Sequence, residues 1–211
     1  MDGGKNWILK NKGIEATEPL AWQIVQTQKN GTLFLIVCRR SEDGSIGNEK
    51  DGAIYRSDDG AESWVKMLLP PGTNGPISLV IDPENNDRLL LSAWGRLSKG
   101  QFSADTGGGI FLSTDNFKTW KQVLEKDQHI HDLTYDPRNN TYYACGFNSS
   151  AYRSEDRGET WIRIRGYNFK WGQRVDPDPR DQNKIFIITF GGGVWYGPAK
   201  GDDNAVEDIV K

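Results

Sequence analysis

The sequence predicts an all-β fold of repeated four-stranded antiparallel sheets. Three observations predict it. One turn is written three times in full, as Ser57-Asp58-Asp59-Gly60-Ala61-Glu62-Ser63-Trp64, Ser113-Thr114-Asp115-Asn116-Phe117-Lys118-Thr119-Trp120 and Ser154-Glu155-Asp156-Arg157-Gly158-Glu159-Thr160-Trp161, and once in part, as Asp2-Gly3-Gly4-Lys5-Asn6-Trp7. A second turn recurs out of phase with the first, as Asp82-Pro83-Glu84-Asn85-Asn86, Asp136-Pro137-Arg138-Asn139-Asn140 and Asp178-Pro179-Arg180-Asp181-Gln182-Asn183. Between the turns lie short apolar runs, punctuated by 24 Gly and 9 Pro. Short strands bounded by turn residues and repeated at long intervals mark an all-β repeat protein.

Each repeat reads as strand, tight turn, strand, variable loop, strand, Ser-x-Asp turn, strand. Residues 7–10 open the chain as a lone outer strand. The first full unit takes its strands from residues 22–28, 33–39, 53–57 and 64–68. The second takes 77–82, 88–94, 110–113 and 120–124, and the third 131–136, 142–147, 151–154 and 161–165. A fourth has 173–176, 185–190 and 194–196, with no outer strand of its own. Pro cannot donate to a strand ladder, and Asn and Asp favour turns, so the Asp-Pro segments are tight connections. In the longer turn, Ser and Asp oxygens accept nearby backbone N–H groups and hold the chain. A central Gly such as Gly158 supplies a positive φ without a Cβ clash. Ala61 and Phe117 stand at the same place in the other copies, beside Gly60 and Asn116, which tolerate left-handed geometry. Trp64, Trp120 and Trp161 are large enough to fill space between sheets. These are structural jobs. Asp2, Trp7, Ser57, Asp59, Trp64, Ser113, Asp115, Trp120, Ser154, Asp156, Gly158 and Trp161 are therefore read as framework, not as catalytic groups.

The pattern Ser-x-Asp-x-Gly-x-Thr-Trp resembles the Asp-box, or bacterial neuraminidase repeat, superfamily of β-propellers. The resemblance covers nearly the whole chain. It implies a propeller of four-stranded blades, about four of them present, in residues 1–199, with an acidic tail at 200–211. The superfamily usually has more blades, and the chain opens inside a turn, so a C-terminal portion of a larger ring is expected. The alternative is a four-bladed ring sealed by pairing residues 7–10 with the last strand. Members include sialidases, xyloglucan hydrolases and sortilin-type receptors, so the resemblance implies an exported, often carbohydrate-related protein without naming one chemistry. It implies an extracellular or periplasmic setting, although the chain carries no signal peptide.

Composition narrows the function classes. The formal charge is −3, from 26 basic and 29 acidic residues, which offers nucleic acid or an anionic membrane no electrostatic purchase. No apolar run approaches the roughly 20 residues of a membrane-spanning helix. The two cysteines, Cys38 and Cys145, sit in apolar strand runs and are expected as buried free thiols. No cofactor motif is present: the run Gly191-Gly192-Gly193 lacks the lysine and helix of a phosphate loop.

The stereotyped turns share one face of such a fold, and the variable loops the other. Variable loops on a rigid scaffold are the usual carriers of function. On that loop face the candidate catalytic carboxylates are Asp43, Asp105 and Asp132, since glycoside hydrolysis needs two acids. Trp94 and Trp171 stand near strand ends as candidate sugar platforms, with packing between blades as the alternative. Arg39, Arg96 and Arg174 are candidates to converge on a ligand carboxylate, with solvent exposure or inter-blade pairing as the alternative. His131 is a further candidate ligand contact. With His129 it makes a His-x-His pair, too few ligands for a metal site. Arg40 and Tyr167 belong to the same face. The sialidase Arg-Ile-Pro motif is absent, which disfavours sialidase chemistry. Two readings remain: a glycoside hydrolase-like propeller or part of one, and a non-catalytic propeller. The expected partner is a polysaccharide or glycoprotein glycan, or a protein.

Overall fold

The computed structural model describes residues 3–15, 20–38, 52–73, 75–94, 96–98, 101–125, 129–147, 151–167 and 171–205, with backbone alone for 96–98 and 101–106. Strands and turns make up the described chain, as the turn periodicity predicts. The first sheet runs in chain order: β1 (Leu20–Gln26), β2 (Leu33–Cys38), β3 (Ala53–Ser57) and β4 (Val65–Lys66). The second holds β5 (Gly75–Ile81), β6 (Leu89–Trp94), β9 (Gly109–Ser113) and β10 (Lys121–Leu124). A two-stranded hairpin, β7 (Arg96–Ser98) with β8 (Gln101–Thr106), fills the stretch expected as plain loop between β6 and β9. The third sheet is β11 (Ile130–Asp136), β12 (Thr141–Gly146), β13 (Ala151–Ser154) and β14 (Ile162–Ile164). The fourth has three strands, β15 (Gly172–Pro177), β16 (Lys184–Thr189) and β17 (Gly193–Pro198). All strand pairs within these four sheets are antiparallel.

Side-chain alternation along each strand gives every sheet two apolar faces, and the sheets stack through them. Phe34, Ile36 and Ile54 of the first sheet pack against Leu79, Leu89 and Leu91 of the second. Leu90, Ile110 and Leu112 pack against Leu133, Tyr142 and Ala144 of the third. Tyr143, Cys145 and Ala151 meet Val175, Ile185 and Ile187 of the fourth. The strand nearest the axis, first in each sheet, also touches its neighbour's first strand: β1 meets β5, β5 meets β11, and β11 meets β15.

The repeated turns owe their shape to one hydrogen-bond pattern. Ser57 Oγ donates to Asp59 Oδ1 at 2.7 Å and accepts the Ala61 N–H at 2.9 Å, while Asp59 Oδ1 accepts the Ser63 N–H at 3.0 Å. Ser113, Asp115, Phe117 and Thr119 repeat it, as do Ser154, Asp156, Gly158 and Thr160. Ala61, Phe117 and Gly158 all have φ between 68° and 85°. The pattern tolerates a Cβ there, because the Ser and Asp oxygens hold the strained residue from both sides. The Asp-Pro turns are held similarly: Asp82, Asp136 and Asp178 each accept the N–H two residues on, from Glu84, Arg138 and Arg180.

Two expectations are corrected. Trp64, Trp120 and Trp161 stand just before the outer strands, not in them. Trp64 instead sends its indole N–H to the Lys10 carbonyl at 2.9 Å, and Trp120 to the Leu68 carbonyl at 3.3 Å. Residues 7–10 form no strand and do not complete the fourth sheet. They lie beside the first sheet, where Lys10 pairs with Glu62. Asp2 lies outside the described residues. Residues 199–205 pack back on the third and fourth sheets: Ala199 is buried, and Arg165 donates to the carbonyls of Asp203 and Ala205. Cys38 and Cys145 are buried thiols outside any disulfide, as expected, and burial pushes the Cys38 thiol up to about 12.

Candidate functional site at the loop face

The inner strands carry a built-in register. Each has a one-residue irregularity near its start, between Ala21 and Gln23, Pro76 and Ser78, Ile130 and Asp132, and Gly172 and Arg174. The residue after it reaches the next sheet's inner strand. Gln23 Oε1 accepts the Leu79 N–H at 2.8 Å, Ser78 Oγ accepts the Leu133 N–H at 3.2 Å, and Asp132 Oδ2 accepts the Val175 N–H at 3.0 Å. Three different side chains thus do one job, pairing a buried backbone donor across the gap between sheets. Arg174 holds the fourth position but has no acceptor atom. Its guanidinium turns back on Asp132, with Nη1 3.6 Å from Oδ1.

Asp132 is 4 % exposed. Burial pushes its carboxyl up to about 6 from 3.8, against the pull of the Val175 N–H and the Arg174 charge. The neighbouring His131 is buried too, and burial pulls its imidazole down to about 4 from 6.5. Its Nδ1 faces the Gln173 carbonyl at 3.2 Å and therefore carries the proton.

Above this register lies an aromatic cluster. His131 stacks on Phe147 at 5.3 Å and meets Trp22, Trp94 and Phe190 at 5.6–5.7 Å. His129 stands edge-on to Trp94 at 5.4 Å. Every sheet contributes a ring. Trp94, Phe147 and Phe190 are equivalent, each at or just past the end of the second strand of its sheet. Trp94 Nε1 is buried without a hydrogen-bond partner among the described residues. Trp171 has φ 63°, a strained conformation for a bulky residue. Its N–H donates to the Phe147 carbonyl and its carbonyl accepts the Phe190 N–H, so it bridges the third and fourth sheets. Its side chain stays 53 % exposed, and that of Phe190 42 %.

The structure thus brings Trp94, Trp171, His129, His131, Asp132 and Arg174 to one end of the inner strands. Tyr167 instead lies in the core between the third and fourth sheets, its hydroxyl donating to the Pro198 carbonyl at 3.3 Å. Asp43, Arg39 and Arg40 lie outside the described residues. Arg96 and Asp105 sit on the β7–β8 hairpin, and their side chains lie outside the described residues. Sequence reasoning missed Trp22, Phe147 and Phe190. Aligning the second strands of the repeats puts Phe147 and Phe190 level with Trp94, a signal the sequence already carried.

No protein-family model matches the chain. It is 27 % identical over 189 residues to a xyloglucanase of Paenibacillus sp, covering 74 % of this chain and 17 % of that protein. It is 24 % identical over 199 residues to the human VPS10 domain-containing receptor SorCS2, covering 90 % of this chain and 16 % of the receptor. The GH74 enzyme of Niastella koreensis superimposes with a TM-score of 0.63 at 16 % identity, covering 85 % of this chain and 28 % of the enzyme. The four sheets are blades of a β-propeller. The chain spans a fifth or less of the length of the curated relatives it matches.

Proposed function

We propose that this propeller binds a polysaccharide chain on its loop face and belongs to a glycoside hydrolase-like protein, with xyloglucan as the substrate class. The observation that carries the reading is Trp171, a half-exposed indole on a strained backbone that bridges two blades beside an exposed Phe190. Flat apolar rings are what a sugar face stacks on, and strain held by surrounding structure collects at ligand sites. Trp94 packs edge-on to His129 and His131 within the cluster, and Arg174 offers a half-exposed charge beside Asp132. The similarity to a xyloglucanase supports the substrate class. The three Ser-x-Asp turns, alike in hydrogen bonding, are Asp-boxes in this reading, and an extracellular or periplasmic setting goes with it.

In native affinity electrophoresis the purified chain is expected to be retarded by xyloglucan. Trp171→Ala and Phe190→Ala are each expected to weaken retardation about tenfold, the worth of roughly 1.4 kcal/mol of lost stacking. No retardation, or retardation indifferent to both changes, overturns the reading.

A second reading rests on Asp132, whose raised carboxyl is suited to donate a proton to a glycosidic oxygen near pH 6. Its burial and its Val175 and Ser78 partners place it between blades, which favours the binding role. Reducing-sugar release by the chain, abolished in Asp132→Asn, would reverse that preference.

A further inference from the structure

We propose that His131 is the positioning residue for Trp171 and Phe190, the two exposed rings on which the polysaccharide reading rests. At 5 % exposure its imidazole has little surface to offer a ligand directly. It is the residue that the pairing register skips between Ile130 and Asp132, as Trp22, Ile77 and Gln173 are skipped in the other inner strands. A residue outside the ladder can aim its side chain elsewhere, and its backbone groups need other partners. Both consequences meet in one contact. His131 Nδ1 donates to the Gln173 carbonyl at 3.2 Å, joining the skipped residue of the third sheet to that of the fourth.

Three anchors of the Trp171 segment lead back to this imidazole. The Trp171 N–H donates to the Phe147 carbonyl at 3.3 Å, and the Phe147 ring stacks on His131 at 5.3 Å with 19° between the planes. The Trp171 carbonyl accepts the Phe190 N–H at 2.9 Å, and the Phe190 ring stands edge-on to His131 at 5.6 Å. Two residues along the chain, Gln173 is held by His131 Nδ1. A bulky residue keeps a φ of 63° where its surroundings fix it, and these contacts fix Trp171 from three sides. Trp22 of the first blade meets the same imidazole at 5.6 Å, so His131 ties the platform to the first blade as well. An apolar ring could fill this space but could not hold the Gln173 carbonyl. A buried neutral imidazole supplies the flat ring and the N–H together.

Nitrogen NMR of the full wild-type chain, with 2 His to assign, tests the contact without any variant. His131 is expected as the Nδ1–H tautomer near neutral pH, and the Nε2–H form overturns the proposal. His131→Phe keeps the ring and loses the donor. In a chain carrying fluorotryptophan, this change is expected to move the Trp171 fluorine line while the lines of Trp64, Trp120 and Trp161 at the outer turns stay. An unmoved Trp171 line, or all four lines moved alike, overturns the proposal. In native affinity electrophoresis with xyloglucan, His131→Phe is expected to weaken retardation about fivefold in the otherwise wild-type chain and to add nothing in Trp171→Ala, because it acts through that ring. An equal loss in both backgrounds marks a general destabilisation and overturns the proposal. A wild-type chain that xyloglucan does not retard removes the polysaccharide reading, and the tautomer and the Trp171 line then decide the positioning without a ligand.

Discussion

Ser154 shows how one hydroxyl closes a turn. It is buried, donates to Asp156 Oδ1 at 2.7 Å and accepts the Gly158 N–H at 2.9 Å. Ser154→Ala leaves a buried N–H without its acceptor, and is expected to cost about 2 kcal/mol in urea unfolding. A cost near zero would mean that the turn is held by the Asp alone. His131 and Asp132 make a second prediction at this scale. The Asp132 carboxyl lies above its ordinary value, so the fold favours its protonated form and loses stability as pH rises from 3.8 through 6. The His131 imidazole lies below its ordinary value, so the fold favours its neutral form and loses stability as pH falls from 6.5 through 4. The two slopes oppose. Relative to the wild-type chain, Asp132→Asn is expected to lose stability toward pH 4.5, and His131→Gln to gain it. Urea midpoints at pH 4.5, 5.5 and 6.5 decide the point, and parallel curves for all three proteins would refute it. Arg174 and Asp176 act on Asp132 from the fourth blade with opposite signs, and both stay in place in each variant.

At the scale of elements, the Ser-x-Asp turns lock blades together as well as closing hairpins. Phe117 reaches back to stack on Phe34 of the first blade at 5.2 Å. Gly158 occupies the same turn position in the third blade, and a Cβ there would stand 2.6 Å from Leu90 Cδ1 of the second. Arg157 beside it pairs with Asp82, and Arg88 donates to the Arg157 carbonyl, so this turn is clamped to the second blade from two sides. Gly158→Ala therefore meets both a positive φ and a filled space. It is expected to cost about 2–3 kcal/mol. The equivalent position in the first turn is already Ala61, at φ 69°. Ala61→Gly is expected to be near neutral or stabilising, and the contrast between the two sites is the measurement. Equal and opposite effects would show that backbone strain alone, not the Leu90 contact, sets the cost.

At the scale of the whole molecule, apolar faces decide what the chain does next. The three inter-blade cores are filled, and so is the outward face of the first blade, where Val37, Ala53 and Tyr55 pack with Trp64 and Ile14, while Ile188, Val194 and Tyr196 of the fourth blade stay exposed. Stacked sheets bury their faces against neighbours, and at the first blade the segment through Ile14 takes the neighbour's place. Each blade adds one ring to the aromatic cluster around His131, so the loop-face site depends on how the blades stack.

The repeated Ser-x-Asp and Asp-Pro turns, read as a sequence, determined the strand order, the four units and the structural role of Asp59, Asp115 and Asp156. They could do so because turn chemistry is local: a Ser oxygen reaches an N–H four residues away in any context. Only the tertiary structure decided that Gln23, Ser78 and Asp132 are one position, that Asp132 joins blades, and that Trp22, Phe147, His131 and Phe190 meet. Those groups come from different blades, and their meeting depends on how the sheets stack, which no local pattern records. The same reason separates residues 7–10 from the fourth blade: their pairing preference is local, but the place they take is set by Trp64 reaching Lys10 across the gap between blades.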